Sequence, residues 1–241
     1  MRRVRRDGGH PIAAGIFGFS TVVLLGAFLG ALWSWFGWLD GTSGSAFGGF
    51  DIGRLTFVLL VLVGALVGLQ LFRFPLIVLV IVGLSWFFVT DLLSGGGNWS
   101  AIVTFLVGLV FLTAAVSVDA GPNRPYGMWL HVGAGLTIGG SLVYFLHHGN
   151  FEWALIAVGG VLYVLLADAL GRSSWAVLGT LGILMASVHY TVELTHIRLS
   201  ILGPGIDGSS RGWAPAVVFA IAGSLLVLLG GMLARRARAA A

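Results

Sequence analysis

Long apolar segments alternate with short polar connections along the chain, and each is close to the length of a membrane span. The hydrocarbon core of a bilayer requires about 20 apolar residues per helix. Eight segments meet this requirement, so we predict an all-α integral membrane protein with eight transmembrane helices. The predicted spans cover residues 11–38, 55–72, 74–92, 99–118, 128–147, 152–170, 173–194 and 213–234. Two longer connections, 39–54 and 195–212, are rich in Gly and Ser and too short to fold as domains.

The composition supports this class and excludes several others. Only 9% of the 241 residues are charged, against about 25% in soluble domains, and the mean hydropathy is +1.00. So few charges exclude a soluble enzyme and a nucleic-acid-binding domain, and they make the lipid bilayer the expected partner. Without Cys, the chain has no disulfides or iron–sulfur clusters. All 13 basic residues are Arg, so no lysine can form a Schiff base.

The positions of the arginines predict the orientation. With the N-terminus in the cytoplasm, ten of the 13 arginines fall on the inner side, and every inner connection carries at least one. Positive charge is enriched in cytoplasmic loops. We therefore expect a multi-pass protein of the cell (inner) membrane with both termini in the cytoplasm. The arginine-only, glycine- and alanine-rich composition resembles that of multispanning proteins of bacteria with GC-rich genomes.

The two halves of the chain share features at matched positions. Arg73 and Arg172 each begin a span, and Asp91 and Glu193 each end that span before a Gly/Ser-rich connection. Each unit would hold four spans, an even number, so the units would be parallel. The pattern predicts two four-helix transmembrane repeats, residues 1–120 and 121–241. Spacings such as Gly64-x3-Gly68 indicate close helix packing, within the chain or between copies.

A group of histidines and glutamates is predicted at the outer face. His189, Glu193 and His196 lie on one face of the seventh span, because residues three or four apart in a helix are neighbours. Imidazole and carboxylate together are a common ligand set for a divalent transition metal. The same topology places further candidate ligands on the outer side, namely His147, His148 and Glu152. The alternative is a set of polar side chains at the membrane–water interface.

A second pair of histidines is predicted at the inner face. His10 and His131 are equivalent in the proposed repeat and lie at similar depth. Opposed imidazoles of this kind can ligate haem b. The alternative at each position is an interfacial imidazole that reaches toward the lipid headgroups.

No Asp, Glu or Arg falls near the centre of any predicted span, where ion-coupled carriers usually keep one. The sequence shows no catalytic motif, which leaves enzymatic activity open and favours a non-enzymatic role. We expect a small transporter-like or channel-like bundle, or an accessory subunit of a membrane assembly, as a homo-oligomer or within a larger complex. The alternatives are a metal-dependent protein using the outer cluster and a haem-binding subunit using the inner pair.

Overall fold

The computed structural model describes residues 11–38, 51–93, 96–195, 197–200, 203–206 and 214–239. Its architecture is all-α apart from one short hairpin. The helices are α1 Pro11–Trp35, α2 Ile52–Phe72, α3 Leu76–Leu93, α4 Gly97–Asp119, α5 Arg124–Leu146, α6 Asn150–Leu170, α7 Ser173–Thr195 and α8 Ala214–Ala239. The strands are β1 Ile197–Ser200 and β2 Gly203–Ile206.

Seven of these helices, α1 to α7, are long and apolar enough to cross a membrane. This finding confirms a helical, multi-pass membrane protein. The apolar part of α8, Ala216–Met232, is shorter than that length among the described residues.

The structure contains an antiparallel hairpin within residues 195–212, where the sequence predicted only a connection rich in Gly and Ser. Ile197 pairs with Ile206 and Ser200 pairs with Gly203. Pairing supplies hydrogen-bond partners for backbone groups that lie beyond the end of α7, where no helix satisfies them.

The chain divides into two compact units, Met1–Ser141 and Leu142–Ala241. We call them unit 1 and unit 2. Helix α5 begins in unit 1, and its last turn belongs to unit 2. This division follows packing density and does not test similarity between halves, so the predicted repeat with a boundary after residue 120 stays a prediction.

Small residues bring α1 and α2 together in unit 1. A Cβ atom added at Gly68 would lie 2.7 Å from Cγ2 of Val22, and one at Gly64 would lie 2.6 Å from Cδ2 of Leu25. Ala65, between the two glycines, is fully buried. The Gly64-x3-Gly68 spacing therefore serves packing within the chain, where the missing side chains let neighbouring side chains fill the contact.

Helices α6 and α7 make the tightest contact in unit 2. A Cβ atom at Gly160 would lie 2.6 Å from the backbone oxygen of Gly179 and 2.8 Å from Cγ1 of Ile183. Trp175 is buried beside this contact, with its ring edge-on to Tyr163 at a centroid distance of 4.8 Å. Trp175 lies at a helix end, where indole rings often contact headgroups, yet here it packs against protein.

Candidate functional site

A buried ion pair joins the beginning of α2 to the end of α3. Nε of Arg54 donates a hydrogen bond to Oδ2 of Asp91 at 3.0 Å, and Nη2 of Arg54 contacts Oδ1 of Asp91. Both carboxylate oxygens are therefore engaged by one guanidinium, the geometry in which arginine–carboxylate pairs are strongest. Asp91 is 0% exposed and the Arg54 side chain 11%. We call this end of unit 1 the Asp91 end.

The backbone around Arg54 is held by side chains on both sides of the helix start. Oδ1 of Asp51, the N-cap of α2, accepts a hydrogen bond from the Arg54 backbone N–H at 3.0 Å. Nε1 of Trp33, in the last turn of α1, donates to the backbone oxygen of Gly53 at 3.0 Å. The Asp51 contact satisfies one of the backbone N–H groups that a helix start leaves without a partner, and the Trp33 contact ties the end of α1 to the same turn. They fix the residue at which α2 begins, and this fixes the backbone position from which the Arg54 side chain extends.

Helices α3 and α4 are linked near the same end. Nε1 of Trp86 donates to Oγ1 of Thr104 at 3.0 Å. Thr90, next to the ion-paired carboxylate, is also buried. The Asp91 end therefore combines a charge pair with hydroxyl and indole groups inside an otherwise apolar bundle.

A second buried polar pair lies at the opposite end of unit 1, which we call the Arg73 end. Nε2–H of His131 donates to Oδ2 of Asp119 at 2.9 Å. His131 is 1% exposed, and the Asp119 side chain is 20% exposed. Gly127 faces Asp119, and a Cβ atom there would lie 3.1 Å from the carboxyl carbon. The missing side chain of Gly127 makes room for the carboxylate beside the imidazole.

This burial differs from the interfacial imidazole expected at His131. The ring faces a carboxylate within the protein and does not reach toward headgroups, because Asp119 supplies the polar partner that water would otherwise provide. Haem ligation through Nε2 would require this hydrogen bond to break. His10, the other half of the predicted haem pair, lies outside the described residues, so the haem site stays a prediction.

Two buried hydroxyl groups on α5, those of Thr137 and Ser141, donate hydrogen bonds to backbone oxygens of the same helix. Oγ1 of Thr137 donates to the backbone oxygen of Gly133 at 2.8 Å, and Oγ of Ser141 donates to that of Ile138 at 2.8 Å. Such bonds satisfy a hydroxyl without adding charge to the interior. The middle of α5 therefore offers only neutral polar groups.

In unit 2, the end of α7 meets the beginning of α6. Nε2–H of His189 donates to Oδ1 of Asn150 at 3.0 Å, and the imidazole stacks on the indole of Trp153 at 4.4 Å and 9°. The hydroxyl of Tyr190 donates to the backbone oxygen of Asn150. His189 is thus fixed against α6 by one hydrogen bond and one ring face.

The predicted metal ligands at the outer face are placed as follows. His147 and His148 are exposed neighbours between α5 and α6, with ring centroids 4.1 Å apart. Glu152 folds back toward the N-terminus of its own helix, and Glu193 is exposed on α7. His196 lies outside the described residues. Within the described part of the chain, no three His, Asp or Glu side chains are grouped as metal ligands.

No family model, curated protein or solved structure matches this chain. A buried guanidinium–carboxylate pair can hold two helices together, and it can be broken by hydration or by a competing charge. The His131–Asp119 hydrogen bond can hold the end of α4 against α5.

The positions of Arg54 and Asp91 in the sequence indicate that they lie at the same end of the α2–α3 hairpin. Arg54 lies 19 residues before Arg73 and Asp91 lies 18 residues after it. In a helical hairpin that turns near Arg73, residues at similar distances from the turn lie at similar depths along the two helices. This spacing alone does not show that the two side chains meet, because the rotation of each helix about its axis is set by packing.

Proposed function

We propose that this chain is a non-enzymatic, eight-span protein of the bacterial cell membrane that acts as a transporter-like bundle for a small neutral solute. The Arg54–Asp91 ion pair serves as its gate at the Asp91 end. The observation that carries the proposal is the burial of this pair between the first turn of α2 and the last turn of α3, at the end of the hairpin opposite its tight turn. Both termini lie in the cytoplasm in this proposal.

The ion pair is costly to place in an apolar bundle. Charges within membrane-spanning segments are rare and usually mark a pathway or a switch. Replacing a buried pair by apolar residues is often neutral or stabilising, so burial alone does not explain its presence. A pair that must form and break during a transport cycle supplies such an explanation.

A neutral solute fits the interior better than an ion does. The buried hydroxyls of Thr137 and Ser141 are neutral and bonded to their own helix. An ion moving past them would lose its hydration shell without meeting a compensating charge. A small polar, uncharged solute has a much smaller desolvation cost.

Solute permeability in proteoliposomes tests this proposal. We expect the purified protein to raise the glycerol and urea permeability of vesicles above that of protein-free vesicles, measured by stopped-flow light scattering. Asp91→Asn and Arg54→Gln should raise it further, by about tenfold if the closed state loses about 1.4 kcal/mol. Proton permeability, followed with an entrapped pH-sensitive dye, should stay at the protein-free level.

A charge-swapped double variant, Arg54→Asp with Asp91→Arg, provides the control. It keeps the pair but reverses its direction, so it should return solute permeability toward the wild-type value. If neither wild type nor folded single variants conduct glycerol or urea, the gate proposal is wrong. An accessory role in a larger membrane assembly then becomes the better interpretation.

A metal site at the outer face is a second candidate. The observation that favours it is the meeting of His189 on α7 with the start of α6, next to the connection that carries His147 and His148. Elemental analysis of mildly purified protein should then find about one transition metal per chain, lost in His189→Ala. Absence of metal from the wild-type protein would remove this candidate.

A further inference from the structure

An open cleft of about 730 Å³ lies at the Arg73 end of unit 1. It is lined by the last turn of α2, the α4–α5 connection and the first turn of α5, through Leu69, Gln70, Arg73, Asn123 and Tyr126. One lining residue is cationic, two carry amide donors and none is acidic. The lining therefore suits an anion that accepts several hydrogen bonds.

The backbone at Arg73 is held in an unfavourable conformation. Its φ and ψ are 51° and 37°, and it is the only non-glycine residue with a positive φ in the described part of the chain. Helices commonly end on glycine in this conformation, as α6 does at Gly171 with φ 62°. An arginine pays a steric cost that glycine avoids, which indicates that its side chain is needed there.

The two turns that form the cleft are fastened to each other. The hydroxyl of Tyr126 donates to the backbone oxygen of Arg73 at 2.9 Å. Arg73 itself closes α2, because its N–H donates to the backbone oxygen of Leu69 at 2.9 Å. The backbone of Arg73, which borders the cleft, is therefore fixed by a hydrogen bond at its N–H and by another at its carbonyl oxygen.

An exposed apolar stripe runs from the cleft along α2. Leu59, Val63 and Leu66 are 44%, 49% and 44% exposed. With Gln70 and Arg73 they follow steps of three or four residues, so all five lie on one helix face. A polar cleft that continues into an apolar track matches a molecule with a charged head and a hydrocarbon tail.

We propose that this cleft binds a phosphate group, carried as the headgroup of an anionic phospholipid whose acyl chain lies along α2. The Arg73 guanidinium and the amides of Gln70 and Asn123 bind the phosphate. Leu66 and Val63 contact the first part of the chain. The site is separate from the Arg54–Asp91 pair and does not depend on transport.

Binding can be measured on the full-length, delipidated protein in detergent. Phosphatidylglycerol should raise the thermal unfolding temperature, followed by tryptophan fluorescence, and should be retained in native mass spectra. Phosphatidylcholine and inorganic phosphate at matched concentrations should have much smaller effects. Arg73→Gly is the decisive variant, because glycine suits the backbone and removes only the side chain. It should weaken phosphatidylglycerol binding at least about tenfold while leaving the lipid-free protein equally stable or more stable.

Arg172→Gln is the matched control, since it removes one arginine from the α6–α7 connection of unit 2, a residue that does not line the cleft. Its binding should stay within about twofold of wild type, and Gln70→Leu should show an intermediate loss. The proposal is overturned if Arg73→Gly binds phosphatidylglycerol as wild type does, or if Arg172→Gln loses as much. It is also overturned if phosphatidylcholine stabilises the protein as strongly. Equal stabilisation by inorganic phosphate would assign the cleft to a free anion and refute the lipid.

Discussion

Removing one partner of the Arg54–Asp91 pair should strongly lower the free energy of unfolding. The loss should be larger for Arg54→Gln than for Asp91→Asn. Arg54→Gln leaves a carboxylate with 0% exposure beside a neutral amide. Breaking a buried pair in this way costs about 3–5 kcal/mol. Asp91→Asn should cost less, because the Arg54 side chain retains 11% exposure and its long stem can bring the charge to the surface. The order of the two costs follows directly from the difference in burial.

The double variant Arg54→Gln with Asp91→Asn tests whether the two residues act together. It leaves two neutral amides that can still form a hydrogen bond, so its cost should fall below the sum of the single costs. The expected coupling is about 1–3 kcal/mol. This coupling should change little with added salt, because buried pairs are weakly screened.

The assay is equilibrium unfolding in mixed micelles of dodecyl maltoside and SDS, followed by the fluorescence of the nine tryptophans. Glu193→Gln, which alters an exposed carboxylate, is the control and should change the free energy of unfolding by less than about 0.5 kcal/mol. A coupled, buried ion pair is contradicted if Arg54→Gln behaves like this control, or if the costs of the two single variants add up to that of the double variant.

Three further outcomes can be measured. Gly160→Ala should destabilise by about 1–3 kcal/mol, because its Cβ would lie 2.6 Å from a backbone oxygen of α7, whereas Gly159→Ala, with open space around it, should be neutral or stabilising. Gly127→Ala should lower the free energy of unfolding by about 1–3 kcal/mol in the same assay, because the added methyl group would push Asp119 away from the imidazole of His131. An unchanged free energy of unfolding would contradict the contact between Gly127 and Asp119. A reporter fused after Ala241 should be active only in the cytoplasm, and activity outside would overturn the proposed orientation.

The positions of the helices could be predicted from hydrophobic pattern alone. Helix α3, predicted over 74–92, runs from Leu76 to Leu93, and α6, predicted over 152–170, runs from Asn150 to Leu170. Apolar length is read directly from the sequence, and a bilayer imposes nearly the same length on every span. The hairpin after α7 was not predicted, because its eight paired residues carry no alternation strong enough to separate a strand from a loop.

The candidate site could be predicted only in part. The sequence indicated His131 as a candidate ligand, but it did not indicate the carboxylate of Asp119 that lies beside it. Pairing of His131 with Asp119 depends on the space left by Gly127, and pairing of Arg54 with Asp91 depends on how two helices rotate about their axes. Rotation is decided by side-chain packing between helices, which a single hydropathy profile does not contain.

The two ends of the α2–α3 hairpin differ in how they are held, and the proposed gate depends on this difference. At the Arg73 end the chain itself joins the helices, and Tyr126 fastens the turn to α5. At the other end the Arg54–Asp91 pair links α2 to α3. The 19 residues from Arg54 to Arg73 span about 29 Å of helix, so a rotation of about 10° at the turn would separate the ion pair by about 5 Å. In the proposed gating motion, the hairpin would open at the Asp91 end and pivot at the turn. A phospholipid held at the turn would steady the pivot without blocking the opening.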